Sequence, residues 1–336
     1  SLSCCRYEFI CELFIFIKLI LNSYLTNNQN NMTTAKLLFA GVTLFSLTLV
    51  SCSQNTEVTA EPDRSEIRSS QAVNDLIKQL KDYDSRFTYN NAENMQPVTR
   101  LPKITYSKGD IVKIAISDVK GGLRGVGGGA GGVIVGAATS SLIKFGTITV
   151  KKLLWGYIKD NYLKPKVYHS NSLCQYADSI GYYHNELEYV MYDADRSCSE
   201  KPSLQLVTDA NARLLAMSTG FSKDGGLTAA EQLSIASDID AIRNADENLS
   251  FTEYCNKLRE QNPEDSEYID YCAEYIYTAV YANLSSLDEY TDNVIYQIQH
   301  SNVDVQDKQT LYNGIQIAYA SILYSQNMNF KSISNN

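Results

Sequence analysis

Histidine is scarce, with three copies in 336 residues. His184 has Glu188 one helical turn away, but a metal centre would need a third ligand, and only His169 and His300 remain elsewhere. The spacing therefore predicts no metal site. No Cys-x-x-Cys occurs, which removes support for a zinc ribbon or a thioredoxin-like redox pair. No Gly-Lys-Ser/Thr follows the glycines, so a phosphate-cradling loop is missing. Neither Gly-x-Ser-x-Gly nor His-Glu-x-x-His is present, so the common signatures of a serine hydrolase and a zinc protease are lacking. Basic residues are in deficit: 29 Lys and Arg face 38 Asp and Glu, for a formal charge of −9. With no basic face to meet phosphates, nucleic acid is excluded as a partner. Scattered acids read as a solvated surface. No cofactor is expected.

The front of the chain is not ordinary domain sequence. Phe9 to Leu21 is apolar but is interrupted by Glu12 and Lys18 and is too short to span a bilayer. A polar string, Asn27 to Asn31, separates it from Met32. Residues 1–31 read as upstream sequence, with Met32 the start. From there Lys36 gives a positive n-region, and Leu37 to Val50 forms a 14-residue uncharged run. Leu49-Val50-Ser51-Cys52 closes it. A buried cysteine after a core helix, or an uncleaved transmembrane helix, would explain the cysteine differently, but 14 residues are short for a span.

The order of charge, apolar run, small residue and cysteine resembles the signal peptide and lipobox of bacterial lipoproteins. That resemblance implies cleavage before Cys52, lipid on its sulfur and acylation of the new amine. Each buried methylene contributes about 0.8 kcal/mol, so several acyl chains make a lasting anchor. It also implies an envelope location held to the membrane by lipid, and Ser53 in place of Asp favours the outer membrane. The segments are then 1–31 upstream, 32–51 signal peptide, 52–66 lipidated tether and 67–330 a single mostly helical domain. Cleavage removes three basic residues (Arg6, Lys18, Lys36) and two acidic ones (Glu8, Glu12), leaving 26 against 36 and a charge of −10. Of eight cysteines, Cys174, Cys198, Cys255 and Cys272 then remain beside Cys52. In an oxidising compartment the local pairings Cys174–Cys198 and Cys255–Cys272 are expected, with free buried thiols the alternative.

The domain reads as mainly α, an irregular helical bundle with a glycine-rich helical or hairpin segment. Ala72, Leu76, Leu80 and Tyr83 recur at helical spacing. Ile111 to Val119 fits either period and is assigned to helix. Leu153 to Tyr162 predicts a helix ending before Pro165, and Leu204 to Met217 one that stops near Gly220. Thr228/Glu231 and Ser250/Glu253 are capping boxes, in which hydroxyl and carboxylate satisfy free amides at a helix start. Ile269, Cys272, Ile276 and Ala279 form one apolar stripe, and Leu311, Ile315, Ala318 and Ile322 another. The 24 tyrosines fall mostly on helices, where rings can cover apolar surface and hydroxyls stay wet.

Three segments could carry function. Residues 121–136 hold nine glycines, and Gly125 to Ile143 runs 19 residues without a charge. Gly127, Gly129 and Gly132 match Gly-x-Gly-x-x-Gly, but Lys151 and Lys152 stand where a dinucleotide site needs an acid. Gly121, Gly125 and Gly129 lie four apart, as do Gly128, Gly132 and Gly136, the spacing of a glycine zipper that lets another helix approach closely. Thr139, Ser140 and Ser141 make this a poor membrane span, so packing within the protein is preferred over insertion; a buried hairpin or loop is the further alternative.

The second segment is Asp178 to Glu188. Asp178 or Ser179 could cap the following helix, and His184 with Glu188 could orient a proton transfer, making His184, Glu188 and Asp178 the catalytic candidates. The plainer reading is a histidine held inside a bundle, with Asn185 satisfying a backbone group. Gly181-x-x-His184-Asn185, behind Asp178-Ser179 and after a glycine-rich region, resembles a segment of uncharacterised lipoproteins from gut Gram-negative anaerobes. The resemblance implies no activity. The third segment, Gly220 to Glu231, has some EF-hand spacing, but Gly220 stands where calcium needs a carboxylate, so a helix–turn–helix junction is expected. The functional expectation is a non-enzymatic envelope lipoprotein binding an unknown protein or glycan partner. The alternatives are a membrane-active glycine zipper and a hydrolase using His184.

Overall fold

A computed structural model describes residues 64–89, 106–151, 177–217, 226–245 and 248–327. The chain divides into two compact units, Ser1–Glu61 and Pro62–Asn336, and every described residue belongs to the second. The lipobox with Cys52, and also His169, Cys174 and the expected Leu153–Tyr162 helix, lie outside the described residues.

The fold class expected from the sequence is the one observed. Ten α-helices account for the described structure: α1 Arg64–Asp84, α2 Lys108–Arg124, α3 Gly129–Lys151, α4 Ala177–Ala194, α5 Ser203–Ala216, α6 Ala229–Arg243, α7 Phe251–Gln261, α8 Ser266–Tyr281, α9 Leu287–His300 and α10 Val305–Asn327. Among the described residues there is no strand, only an isolated bridge between Tyr89 and Ala282. Helix α1 begins at Arg64 and so takes in the last three residues assigned to the tether.

Local chemistry sets the helix starts. Both expected capping boxes form: the Thr228 hydroxyl accepts from the Glu231 amide, the Ser250 hydroxyl accepts from the Glu253 amide, and each glutamate bonds back to its cap amide. A third box, Ser107 with Asp110, opens α2. That box decides the ambiguous Ile111–Val119 segment for helix. Periodicity could not decide it, because every residue from Ile114 to Leu123 is buried and no solvent face marks a period.

Helices α2 and α3 form an antiparallel hairpin at the centre, joined by a 3-10 turn, Val126–Gly128, and by Gly129 at φ 66°. Gly121 opposes Gly136, and Gly125 opposes Gly132; a Cβ on any of the four would collide with the opposite backbone carbonyl. The absent side chains thus let two backbones touch, which dense packing rewards. Close packing within the protein is therefore observed, but the zipper is divided between two helices. Gly129 sits in the turn, and Gly128 packs against the side chain of Leu227 instead.

The other helices wrap this hairpin. Helix α2 packs against α10, α8, α6 and α7, and α3 against α4, α5 and α6. The two predicted stripes, Ile269/Cys272/Ile276/Ala279 on α8 and Leu311/Ile315/Ala318/Ile322 on α10, are buried. Helix α1 seals Leu76 and Leu80 against α8 and α9.

The tyrosines correct one expectation. Several bury the hydroxyl along with the ring: Tyr254 pairs with Ser117 at 2.8 Å, Tyr275 with Thr291 at 2.8 Å, and Tyr290 donates to Asp84 at 3.0 Å. A buried hydroxyl needs a partner, and helix-borne Ser, Thr and Asp supply it.

Candidate functional site

Helix α4 carries the segment singled out in the sequence. Gly181 brings it against α10, since a Cβ there would lie 2.6 Å from the Gln316 carbonyl oxygen and 2.8 Å from the Ala320 Cβ. One turn later the Asn185 amide donates to the Ala320 carbonyl at 3.1 Å. The Gly-x-x-His-Asn pattern is thus a docking device. The glycine permits contact, and the asparagine satisfies a backbone carbonyl, as the plainer reading anticipated.

His184, between them, turns toward α2. Its Nε2 lies 3.6 Å from Asp118 Oδ2, beyond hydrogen-bond distance. That same Oδ2 accepts from the Ser141 hydroxyl of α3 at 3.1 Å and from the Ser321 hydroxyl of α10 at 2.7 Å. Asp118 is therefore the point where α2, α3, α4 and α10 meet. Asp118, His184, Asn185 and Glu188 are all 0% exposed. Asp118 Oδ1, Asn185 Oδ1 and both His184 ring nitrogens have no hydrogen-bond partner. Sequence reasoning missed Asp118. Its signal was present: a lone acid inside the apolar run Ile111–Val119.

Burial governs the electrostatics. It raises the Asp118 carboxyl well above the ordinary range, helped by the Glu188 charge and opposed by the Ser321 and Ser141 hydroxyls. Burial also lowers His184 to about 4, outweighing the polar neighbour Asn185. Burial thus disfavours the charged form of the acid and of the imidazole alike, which limits separated charge in the low-dielectric interior.

A second buried polar group lies elsewhere on the hairpin. Lys120 pairs with Asp238 at 3.0 Å, and Arg124 also reaches Asp238 at 3.0 Å. Lys144 is enclosed too, with its ammonium 4.2 Å from the centroid of the Tyr254 ring. These pairs join α2 to α6, and α3 to α7.

The catalytic expectations fare as follows. His184 and Glu188 share the enclosed face of α4, while Asp178 lies in the first turn of that helix. A hydrolase would need His184 to open onto a substrate, and its sealed position gives that reading no support. Among the described residues no group of three or more His, Cys, Asp and Glu is placed to hold a metal. His300 is stacked on Tyr296, with ring centroids 3.9 Å apart. In the Gly220–Glu231 segment, the described Thr228 and Glu231 serve as a helix cap.

Of the two readings of the cysteines, the described ones follow the free-thiol alternative, and Cys174 lies outside the described residues. Cys198, Cys255 and Cys272 are free buried thiols. Cys272 points across to α10, where a Cβ on Gly314 would meet its Sγ at 2.7 Å, so it does not turn to Cys255 on α7. Cys198 is buried in its own 3-10 turn, Cys198–Glu200.

The surface carries one feature that the sequence did not announce. Near the end of α8, Tyr277 is 43% exposed; it stacks on Phe251 at 6.3 Å and contacts Tyr281 at 4.8 Å and Tyr89 at 5.7 Å. Lys108 extends over the Tyr281 ring at 5.5 Å. The result is an aromatic cluster on an otherwise acidic protein.

No protein-family model matches the chain, and no curated protein or solved structure is similar to it.

Proposed function

We propose that this protein is a lipid-anchored component of a bacterial cell envelope, held by Cys52, whose helical domain is a non-enzymatic binding module. The observation that carries the anchor is the ordered sequence Lys36, Leu37 to Val50, Ser51, Cys52, followed by a polar tether. Replacing Cys52 by Ala tests it. The wild-type chain should fractionate with membranes and incorporate labelled palmitate, and Cys52→Ala should do neither. An unchanged membrane fraction would defeat the envelope reading.

The aromatic cluster of Tyr89, Phe251, Tyr277 and Tyr281 supports the binding role, because ring faces at a surface stack on sugar rings or on partner side chains. Co-sedimentation with isolated envelope polysaccharide, wild type against Tyr277→Ala, tests this surface. Equal retention of the two proteins would remove it.

A second reading, membrane activity of the glycine segment, draws on the Val126–Ile148 stretch, long and apolar enough to cross a bilayer. Against it, 78% of the apolar window is already buried inside the protein, and the glycine faces are occupied by each other. Release of dye from loaded vesicles would favour insertion, and its absence would remove that reading.

A further inference from the structure

We propose that His184, enclosed beside Asp118, is an acid-operated latch that seats helix α4 on the glycine hairpin at neutral pH and releases it when the imidazole takes up a proton. The inference stands on geometry independent of the anchor. His184 is fully enclosed, both ring nitrogens lack partners, and the nearest acid is a carboxyl 3.6 Å away that already receives two hydroxyls. A proton arriving from solvent on His184 therefore creates a fully enclosed cation whose nearest carboxyl lies beyond hydrogen-bond distance. Such a charge is relieved by opening to solvent.

The charged and titratable groups packed around His184 come from α2, α3, α4 and α5. From α2, burial and the Glu188 charge push the Asp118 carboxyl up, which disfavours an anion beside the imidazolium. On α4 itself, Glu188 is enclosed one turn away. From α3, Lys144 lies over the Tyr254 ring. From α10 come neutral Ser321 and Gln316. Helix α5 sends Asp209 to Lys201 and leaves Arg213 exposed.

The sign follows from the shift. His184 is lowered from 6.5 to about 4, so its contribution is complete above pH 6.5 and is lost as pH falls toward 4. That shift corresponds to about a 300-fold change in the closed-to-open ratio.

Amide hydrogen exchange of the full-length chain in detergent tests the proposal, with protection factors corrected for intrinsic pH dependence. Between pH 7 and pH 4, where the folded imidazole is half charged, the α4 amides should lose about 100-fold of protection while those of α8 keep theirs. His184→Gln, which cannot be charged, should keep α4 protected to pH 4. Asp118→Asn, which removes the nearest carboxyl, should still show the acid transition. Constant α4 protection, uniform loss in every helix, a His184→Gln protein that opens in parallel with wild type, or an Asp118→Asn protein that no longer opens would each overturn the latch. Should His184→Gln fail to fold, NMR titration of the wild-type imidazole decides. Charging that coincides with α4 release supports the latch, and charging near pH 6.5 with α4 still protected refutes it.

Discussion

Gly125 on α2 and Gly132 on α3 face each other so closely that each carbonyl occupies the space where the other's Cβ would be. Adding a methyl at either position must move a backbone rather than a side chain. Gly125→Ala or Gly132→Ala should therefore cost about 3 kcal/mol or more, at the upper end of overpacking effects, despite the better helix propensity of alanine. Gly127, where a methyl group would meet nothing within 4 Å, is the control, and its alanine variant should stay within about 0.5 kcal/mol. Urea unfolding midpoints measure both.

Gly181→Ala tests the same principle between α4 and α10, where the nearest obstacle is the Gln316 carbonyl oxygen at 2.6 Å. The variant should push α4 outward, weaken the Asn185–Ala320 hydrogen bond and lose about 1–3 kcal/mol. Exchange protection in α4 should fall more than in α8. Equal loss in the two helices would contradict a local contact.

Asp84 gives a second, independent pH dependence. It accepts from Tyr290 and Thr278, and burial raises it to about 7 against the opposing effect of those hydrogen bonds. A raised acid stabilises the fold fully below its unfolded value near 3.8, and that contribution fades as pH rises through about 7. Asp84→Asn, which keeps an acceptor for both hydroxyls, should flatten the stability profile between about pH 4 and pH 7. The profile is read from thermal midpoints.

The buried tyrosines should be sensitive to loss of a single oxygen. Thr291 gives its proton to the Leu287 carbonyl, so Tyr275 is the donor in their pair. Tyr275→Phe leaves a buried acceptor short of a bond and should cost about 1–2 kcal/mol in denaturant unfolding.

The thiols can be counted directly. Without reductant, the denatured protein should yield at least the three thiols of Cys198, Cys255 and Cys272. In the native state they should react slowly, because burial pushes each up to about 12 and suppresses the thiolate. Fewer than three after denaturation would restore a disulfide.

Much of this architecture could be read from residue order, and the part that could not has physical causes. Thr228/Glu231 and Ser250/Glu253 revealed helix starts because a capping box is local. The stripes on α8 and α10 were visible because each has one buried face. Helix α2 hid its period because it is buried all round, and its start was overlooked because the cap acid is Asp110 rather than a glutamate. Glycine spacing pointed to close packing, yet the turn at Gly129 that folds the zipper upon itself is a backbone event with no separate signature in spacing. Of the enclosed cluster, His184, Asn185 and Glu188 share one helix and could be seen together. Asp118 and Ser321 join them from 66 and 137 residues away along the chain, so only the tertiary fold brings them to one point.

The position of α10 bears on the order of assembly. The central hairpin closes through a turn of a few residues and can form soon after its own sequence is available, since short loops are quick to close. Asp118 and the glycine face of α4 instead wait for Ser321 and Ala320, near the end of the last described helix. Until that segment arrives, a carboxyl and a bare backbone strip stay uncovered, and the bundle cannot lock. Late closure of this kind keeps the bundle loose until its last described helix is available.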